Sequence, residues 1–359
     1  MRSREANVAV VGAGPAGIAA ASAAGESGLA VLVLDDNPAA GGQIWRGGIP
    51  EPWRERFHAE VIANTRVVGA IEPGVLLAES AEDALTVRYR KLILAPGARE
   101  RLLPFPGWTL PNVMAAGGLQ ALVKGGLPIE DKRVVLAGTG PLLLAVGMHL
   151  LKRGARVYRG GRIEAAEGIG QVQAAILRRG HRLWREPCDY LAVSFGLVAN
   201  TELPLLLGSV EVDEWQQTAV PGVYYAGHTG GVGLALAEGE IAGYASAGRL
   251  ADARRRFDGR RRARWFQTAV EWLFRGELPC KPCPDTIVCR CEDVSFGALS
   301  KYKSWRSAKL ETRCGMGPCQ GRICGPAVEH LLGWKSESVR PPVFPARVET
   351  LAAIHWKDS

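Results

Sequence analysis

The 359 residues carry 44 Lys and Arg against 36 Asp and Glu, with 47% apolar and 22% charged residues. That is an ordinary globular make-up, long enough for two or three domains. Eight cysteines, five of them between 289 and 324, argue against a disulfide scaffold. They favour ligation in a reducing compartment, and a cytoplasmic location is expected.

Residues 7–36 read NVAVVGAGPAGIAAASAAGESGLAVLVLDD. An apolar strand from Val8 to Val11 runs into Gly12-Ala13-Gly14-Pro15-Ala16-Gly17. An alanine-rich helix follows, and a second strand from Val31 to Leu34 ends at Asp35. Each glycine has a separate task in binding a dinucleotide. Gly12 permits the tight turn, Gly14 leaves room for a pyrophosphate, and Gly17 lets the helix pack close to the strand. The helix N-terminus faces the phosphates with its partial positive charge, and Asp35 is placed to accept hydrogen bonds from a ribose. The stretch from Val8 to Ala24 also follows two arginines, but its three glycines belong to this fingerprint, which argues against a signal peptide. No other stretch approaches the length of a membrane span.

A second nucleotide-binding fold is expected from Val134, where a short apolar strand meets Gly138-Thr139-Gly140-Pro141. Leu143 stands at the third glycine position and is expected to crowd the helix against the strand. Arg159 ends the next strand where an NAD-binding acid would stand, with the charge to pair with a 2′-phosphate. Fewer than 60 residues separate Val134 from the strand at 189–196, which is expected to return the chain to the first domain. That leaves room for about three strands and two helices. A vestigial domain, a bound adenine nucleotide and a working NAD(P)H site all remain open. No cysteine precedes Cys188, so a thiol–disulfide mechanism is disfavoured.

Residues 249–264 hold eight arginines and two aspartates. This run is read as a solvated helix or linker, with a docking surface for an acidic partner as the functional alternative. No aromatic platform points to nucleic acid. Trp265 and Trp272, seven apart on an expected helix, are assigned to packing on a neighbour.

The carboxy-terminal region sets Cys289 and Cys291 one residue apart and Cys319 and Cys324 four apart, with 27 residues between the pairs. Four thiolates from two short loops meet the needs of a [2Fe–2S] cluster, each iron taking two soft ligands. Glycines around the second pair let backbone N–H groups approach the bridging sulfides. Structural zinc and unligated thiols are the alternatives. Val294, Leu299 and Leu310 carry a helical spacing between the loops. Cys280 and Cys283 are read as idle thiols in a proline-rich linker.

Six further segments, in this order, carry a resemblance: Gly41-Gly42-Gln43-Ile44-Trp45-Arg46, LILAPGARER (92–101), PFPGWTLPNV (104–113), VVLAGTGPLLLAV (134–146), FGLVANTEL (195–203) and GVYYAGHTGGVGLALAEGEIAG (222–243). They resemble flavoproteins with two dinucleotide-binding domains, among them thioredoxin and ferredoxin reductases. Together with the cysteine module, the chain resembles the A-type (alpha) subunits of bacterial opine, hydroxyproline and proline dehydrogenases and hydrogen cyanide synthase. The resemblance covers most of residues 5–348, including the RPPVFP tail at 340–345.

The resemblance implies an α/β fold: a Rossmann-like FAD-binding domain, a reduced second nucleotide-binding insert, and a small helical [2Fe–2S] domain like bacterioferritin-associated ferredoxin. The expected boundaries are 1–118 with 190–250 for FAD, 119–189 for the insert, 251–279 for a basic connector, 280–335 for the cluster domain and 336–359 for the tail. It implies FAD contacts from Gly12, Ala13, Gly14, Pro15, Ala16, Gly17, Asp35 and Asp36, with Gly42, Gln43 and Arg46 along the flavin side. Ala95-Pro96-Gly97 stands where the family has ATG, and Gly227-His228 where it has Gly-Asp near the ribityl chain. The implied cluster ligands are Cys289, Cys291, Cys319 and Cys324; Cys314 replaces a residue that is usually small and is the alternative that competes as a ligand.

The implied function is electron transfer. A separate flavin-containing B-type subunit oxidises the amino or imino acid, and this chain relays electrons through FAD and cluster to an acceptor. A small ferredoxin-like subunit is a further expected partner. No catalytic residue is assigned. A scaffold subunit with a vestigial flavin fold and a self-contained NAD(P)H reductase are the alternatives.

Overall fold

Strands that are apolar on both faces belong inside a parallel sheet, where helices cover each side. Val8–Val11 and Val31–Leu34 take that place in the computed structural model, which describes residues 2–227, 229–274, 278–279, 282–335, 339–352 and 354. Val8 pairs with Val31 and Lys91, and Val11 with Leu34 and Leu94, all in parallel. The seven-stranded sheet runs Glu60–Ile62, Val31–Leu34, Arg2–Val11, Ala84–Leu94, Val75–Glu79, Arg66–Glu72, and Val223–Tyr225 pairs with Ala84–Leu94 off this path. Helices Pro15–Gly25 and Gly231–Ser246 pack against each other. Their approach is close enough that a methyl group on Gly239 would collide with the Ala16 carbonyl oxygen.

The chain divides into two compact units, residues 1–99 with 199–268 and 338–359, and residues 100–198 with 269–337. The basic run at 249–264 lies within the first unit. It folds into helices Leu250–Arg255 and Phe257–Leu273. Arg256 pairs with Glu240 at 3.4 Å, and Arg260 donates to the Glu214 carbonyl at 2.7 Å. Trp265 and Trp272 are exposed within this chain. The tail returns to the same unit, with the Val343 N–H donating to the Val68 carbonyl at 2.7 Å.

The second unit is built on a parallel sheet ordered Arg156–Arg159, Arg133–Thr139, Tyr190–Phe195, Val113–Ala115. Here the structure corrects the sequence reading. Tyr190–Phe195 does not return the chain to the first sheet; it lies between two strands of the second, because Leu191–Phe195 is buried throughout. Val113–Ala115 belongs there too. Between Val134 and residue 189 the chain forms five strands and one helix, Leu142–Leu151, because Arg162–Glu167, Ala174–Arg179 and Arg182–Pro187 make an antiparallel meander.

The cysteine module has a hairpin (Ile287–Cys289 with Val294–Ser295) and helices Phe296–Leu299, Trp305–Thr312 and Cys324–Leu332. Val294 and Leu299 are buried in its core, but Leu310 is exposed, because Trp305–Thr312 turns Ala308 inward instead. The module is tied to the rest of its unit by Trp108, whose Nε1 donates to the Ile287 carbonyl at 2.6 Å. Among the described residues no helix is long and apolar enough to cross a membrane.

Candidate functional site

The tertiary structure gathers the separated glycine motifs around one turn. Gly12 has φ +100°, and a methyl group there would strike the Ala95 carbonyl. On Gly17 it would strike the Gly12 carbonyl, so strand and helix are in van der Waals contact at that point. Gly42 passes against Gly14, a Cβ on it falling 2.9 Å from the Gly14 Cα, and the Gly41 N–H donates to the Ala13 carbonyl at 2.8 Å. Gly227 lies against Ala16. Gly12 through Gly17, Gly42, Ala95 and Gly227 therefore meet at the start of one helix.

The centre of this gathering is open. A Cβ on Gly14 would have no atom within 4 Å. Gly14 caps the helix with no side-chain hydrogen bond to its first-turn N–H groups. An uncapped helix start with open space before it is the donor set that an anionic phosphate requires.

Asp35 is buried and ties the turn together. It accepts from the Ala13 backbone N–H, and its Oδ1 accepts from the Asn37 N–H and Nδ2, both at 2.7 Å. Asp36 is half-exposed and pairs with Arg66 at 3.3 Å. Gln43 and Arg46 are exposed, Arg46 reaching Asn37 at 3.5 Å. Asn200 braces the Ala95-Pro96-Gly97 segment: its Nδ2 donates to the Pro96 carbonyl at 2.8 Å and its N–H to the Gly97 carbonyl at 3.0 Å. His228 lies outside the described residues, as does Cys280.

The second fingerprint is built differently. Gly138 turns tightly at φ +112°. Leu143 does not crowd its helix; it is buried with Leu136 and Val146, and the close approach to the strand falls at Gly147. The Gly140 N–H, which faces phosphate in a working turn, donates to the Phe274 carbonyl at 3.3 Å. Arg159 is exposed at the end of its strand.

The thiols of the second unit converge. The sulfurs of Cys289, Cys314 and Cys324 all lie within 4.8 Å of one another, and all three residues are buried. Cys319 bridges outward, in hydrogen-bonding contact with Cys324 and Cys291. Cys291 is exposed, as is Cys283. The two loops are braced by Arg313, whose Nε donates to Glu292 at 2.9 Å. Hydrogen bonds from the Cys314 and Cys324 thiols hold Cys289 as a thiolate, lowering it to about 2. Cys324 likewise lowers Cys319 to about 5, and Cys289 raises Cys314 to about 12. A thiolate among converging buried thiols suits a soft metal ion or cluster.

Residues 6–158 match the family model of the pyridine nucleotide-disulphide oxidoreductases. The chain is an FAD-dependent oxidoreductase. The A subunit of opine oxidase from Rhizobium meliloti (strain 1021) is 29% identical to this oxidoreductase, covering 96% of this chain and 98% of its own length. The HcnB component of hydrogen cyanide synthase from Pseudomonas protegens is also 29% identical, over 89% of this chain and 90% of its own. The resemblance to A-type subunits therefore holds over nearly the whole sequence. The crystal structure of L-proline dehydrogenase from P. horikoshii superposes with a TM-score of 0.78 at 19% identity, covering 98% of this chain and 80% of that one. The fold is shared.

Two features of the site escaped sequence reasoning. Glu238, 2% exposed, accepts the Gly227 N–H at 3.1 Å from within helix Gly231–Ser246. Its signal was an acid inside the apolar run LALAEGEIAG. Asn200 lies within the segment FGLVANTEL, but its role there was not assigned, because its partners are about a hundred residues away.

Proposed function

We propose that this oxidoreductase is the electron-transfer subunit of a heteromeric amino- or imino-acid dehydrogenase. The observation that carries the reading is that one chain holds both an open, uncapped nucleotide turn at Gly14 and a buried pocket of converging thiols. FAD held at that turn would supply two-electron chemistry and a [2Fe–2S] cluster held by the thiols one-electron chemistry, so the chain would join the two regimes.

The residues have distinct tasks in this reading. The first-turn N–H groups beyond Gly14 hold the pyrophosphate. Asp35, expected at the ribose, instead spends its two oxygens on Ala13 and Asn37, and in this reading the ribose contact passes to Asp36, next along the chain. Gly42, Gln43 and Arg46, with Ala95, Pro96 and Gly97, line the flavin side, and Gly227 lies toward the ribityl chain. Cys289, Cys291, Cys319 and Cys324 hold the cluster. In this reading the substrate is oxidised in a partner flavin-containing subunit of B type; the support is that the opine oxidase and hydrogen cyanide synthase relatives are named as subunits of larger enzymes. A small ferredoxin-like subunit is a further partner, and the complex is cytoplasmic.

The second domain serves as scaffold in this reading rather than as an adenine-nucleotide or NAD(P)H site. The engagement of the Gly140 N–H by Phe274 supports this, because phosphate would have to displace that carbonyl.

An absorption spectrum of anaerobically purified protein, with iron and flavin analysis, tests the proposal. Flavin bands over a broad iron–sulfur shoulder, with two irons per chain, are expected for a [2Fe–2S] relay. Iron without flavin would favour a scaffold role, and rapid bleaching by NADPH a self-contained reductase. Zinc in place of iron would remove the cluster from the account.

A further inference from the structure

Five thiols surround a pocket where a [2Fe–2S] cluster takes four. Cys314 is the surplus one, and nothing in its position is peripheral. It is 0% exposed, and its sulfur belongs with those of Cys289 and Cys324 to the trio lying mutually within 4.8 Å. Among the described residues no other three thiols are grouped in this way. Cys291 and Cys319 stand outside the trio, the first exposed and the second half-buried.

The chain reaches this point through a sharp stop. Helix Trp305–Thr312 ends at Arg313, which takes the left-handed conformation at φ +62°. The Cys314 N–H then donates to Thr312 Oγ1 at 3.3 Å. Arg313 is held by Glu292, from the loop that carries Cys289 and Cys291. Cys314 is thus held at its own N–H by Thr312, next to a residue tied to the other cysteine loop, while its side chain enters the thiol pocket. A buried cysteine often serves only as a small apolar residue. A sulfur turned toward two implied ligands is poised for more than that. Ligand sulfurs about 2.3 Å from one tetrahedral ion lie roughly 3.8 Å apart. Thiols already within 4.8 Å of one another reach that separation by small side-chain rotations.

Given the cluster reading above, we propose that Cys314 is a reserve ligand that takes over a coordination position when the thiolate of Cys289 or Cys324 is lost. In that exchange a sulfur–iron bond to Cys314 forms at the vacated position, and the Cys314 thiol proton passes to solvent. No electron is transferred and no oxidant is required. The replacement is position-specific: Cys314 substitutes for its two trio partners and not for Cys291 or Cys319.

The test is a set of alanine variants of the full chain, purified anaerobically and reconstituted with iron and sulfide under identical conditions. Iron and acid-labile sulfide per chain, visible circular dichroism and the electron paramagnetic resonance spectrum after dithionite reduction are the readouts. Flavin content, set in the other compact unit, reports folding. Cys314→Ala is expected to keep the wild-type iron content and spectrum. Cys289→Ala and Cys324→Ala are expected to retain two irons with a shifted resonance spectrum, and the doubles with Cys314→Ala to lose them. Cys291→Ala and Cys319→Ala are expected to lose the cluster without help from Cys314. Loss of iron from Cys289→Ala and Cys324→Ala as complete as in the doubles would overturn the reserve role. Loss from Cys314→Ala alone would overturn it too, by making Cys314 one of the primary four. A wild-type chain that takes up no iron would remove the cluster reading itself, a failure distinct from both.

Discussion

Glu238 Oε2 accepts the backbone N–H of Gly227 at 3.1 Å, inside a lobe where Glu238 is only 2% exposed. Its other oxygen lies 3.6 Å from Arg264 on the basic helix Phe257–Leu273. One carboxylate therefore fixes the loop at residue 227 and neutralises an arginine of the basic run. Glu238→Ala strands the buried Gly227 N–H and is expected to cost about 1–3 kcal/mol, the scale for an unsatisfied buried donor, while Arg264, 63% exposed, is left to solvent. Glu238→Gln keeps an acceptor for Gly227 and is expected to lose less. Thermal unfolding of the three proteins, with flavin content measured alongside, checks the order.

Gly14 and Gly17 separate binding from folding. Gly14 has φ −76°, which alanine adopts freely, and open space where a Cβ would stand. Gly14→Ala is expected to fold with wild-type stability and to lose flavin, because the methyl group fills the phosphate's place. In Gly17→Ala the methyl group collides with the Gly12 carbonyl. That variant is expected to lose about 1–3 kcal/mol, the usual cost of overpacking. Equal flavin content in Gly14→Ala and wild type would place the cofactor elsewhere.

Glu100 makes stability depend on pH. Its Oε1 accepts the Gly118 N–H at 3.2 Å at the start of helix Ala116–Lys124, and its buried Oε2 has no partner. Burial raises the carboxyl above the ordinary glutamate value of 4.5. A raised acid favours the folded state while it is protonated, and that contribution is lost as the pH rises through its folded value. Glu100→Gln is therefore expected to be the more stable protein at neutral pH. The difference should fade below pH 4.5, where the wild-type carboxyl is protonated in both states. Urea midpoints measured across that range test it; a constant offset would rule out titration as the cause.

Cys188 is an inert thiol. It is 2% exposed, and burial pushes it up to about 11. At pH 8 its alkylation by iodoacetamide is expected to be about a hundred-fold slower than that of an ordinary thiol. Exposed Cys283 should be modified first. Peptide mapping after brief labelling, native and in urea, gives the comparison.

Local chemistry was legible from the chain alone. The Gly12–Gly17 turn, the buried strands beside it and the cysteine spacing each depend on residues a few positions apart, where periodicity and glycine sterics act directly. Those signals determined the nucleotide fold, the thiol-rich module and the family resemblance. What required the tertiary structure were relationships set by packing across long sequence separations. Tyr190–Phe195 entered the second sheet because its buried residues needed a strand on either side, which no local pattern specifies. Phe274 met Gly140, and Asn200 met Pro96, only through the path of the folded backbone. Cys314 read as a replacement for a small residue and as a competing ligand, and its place within the buried thiol trio was decided by the turn at Arg313, which aims a side chain that spacing cannot orient.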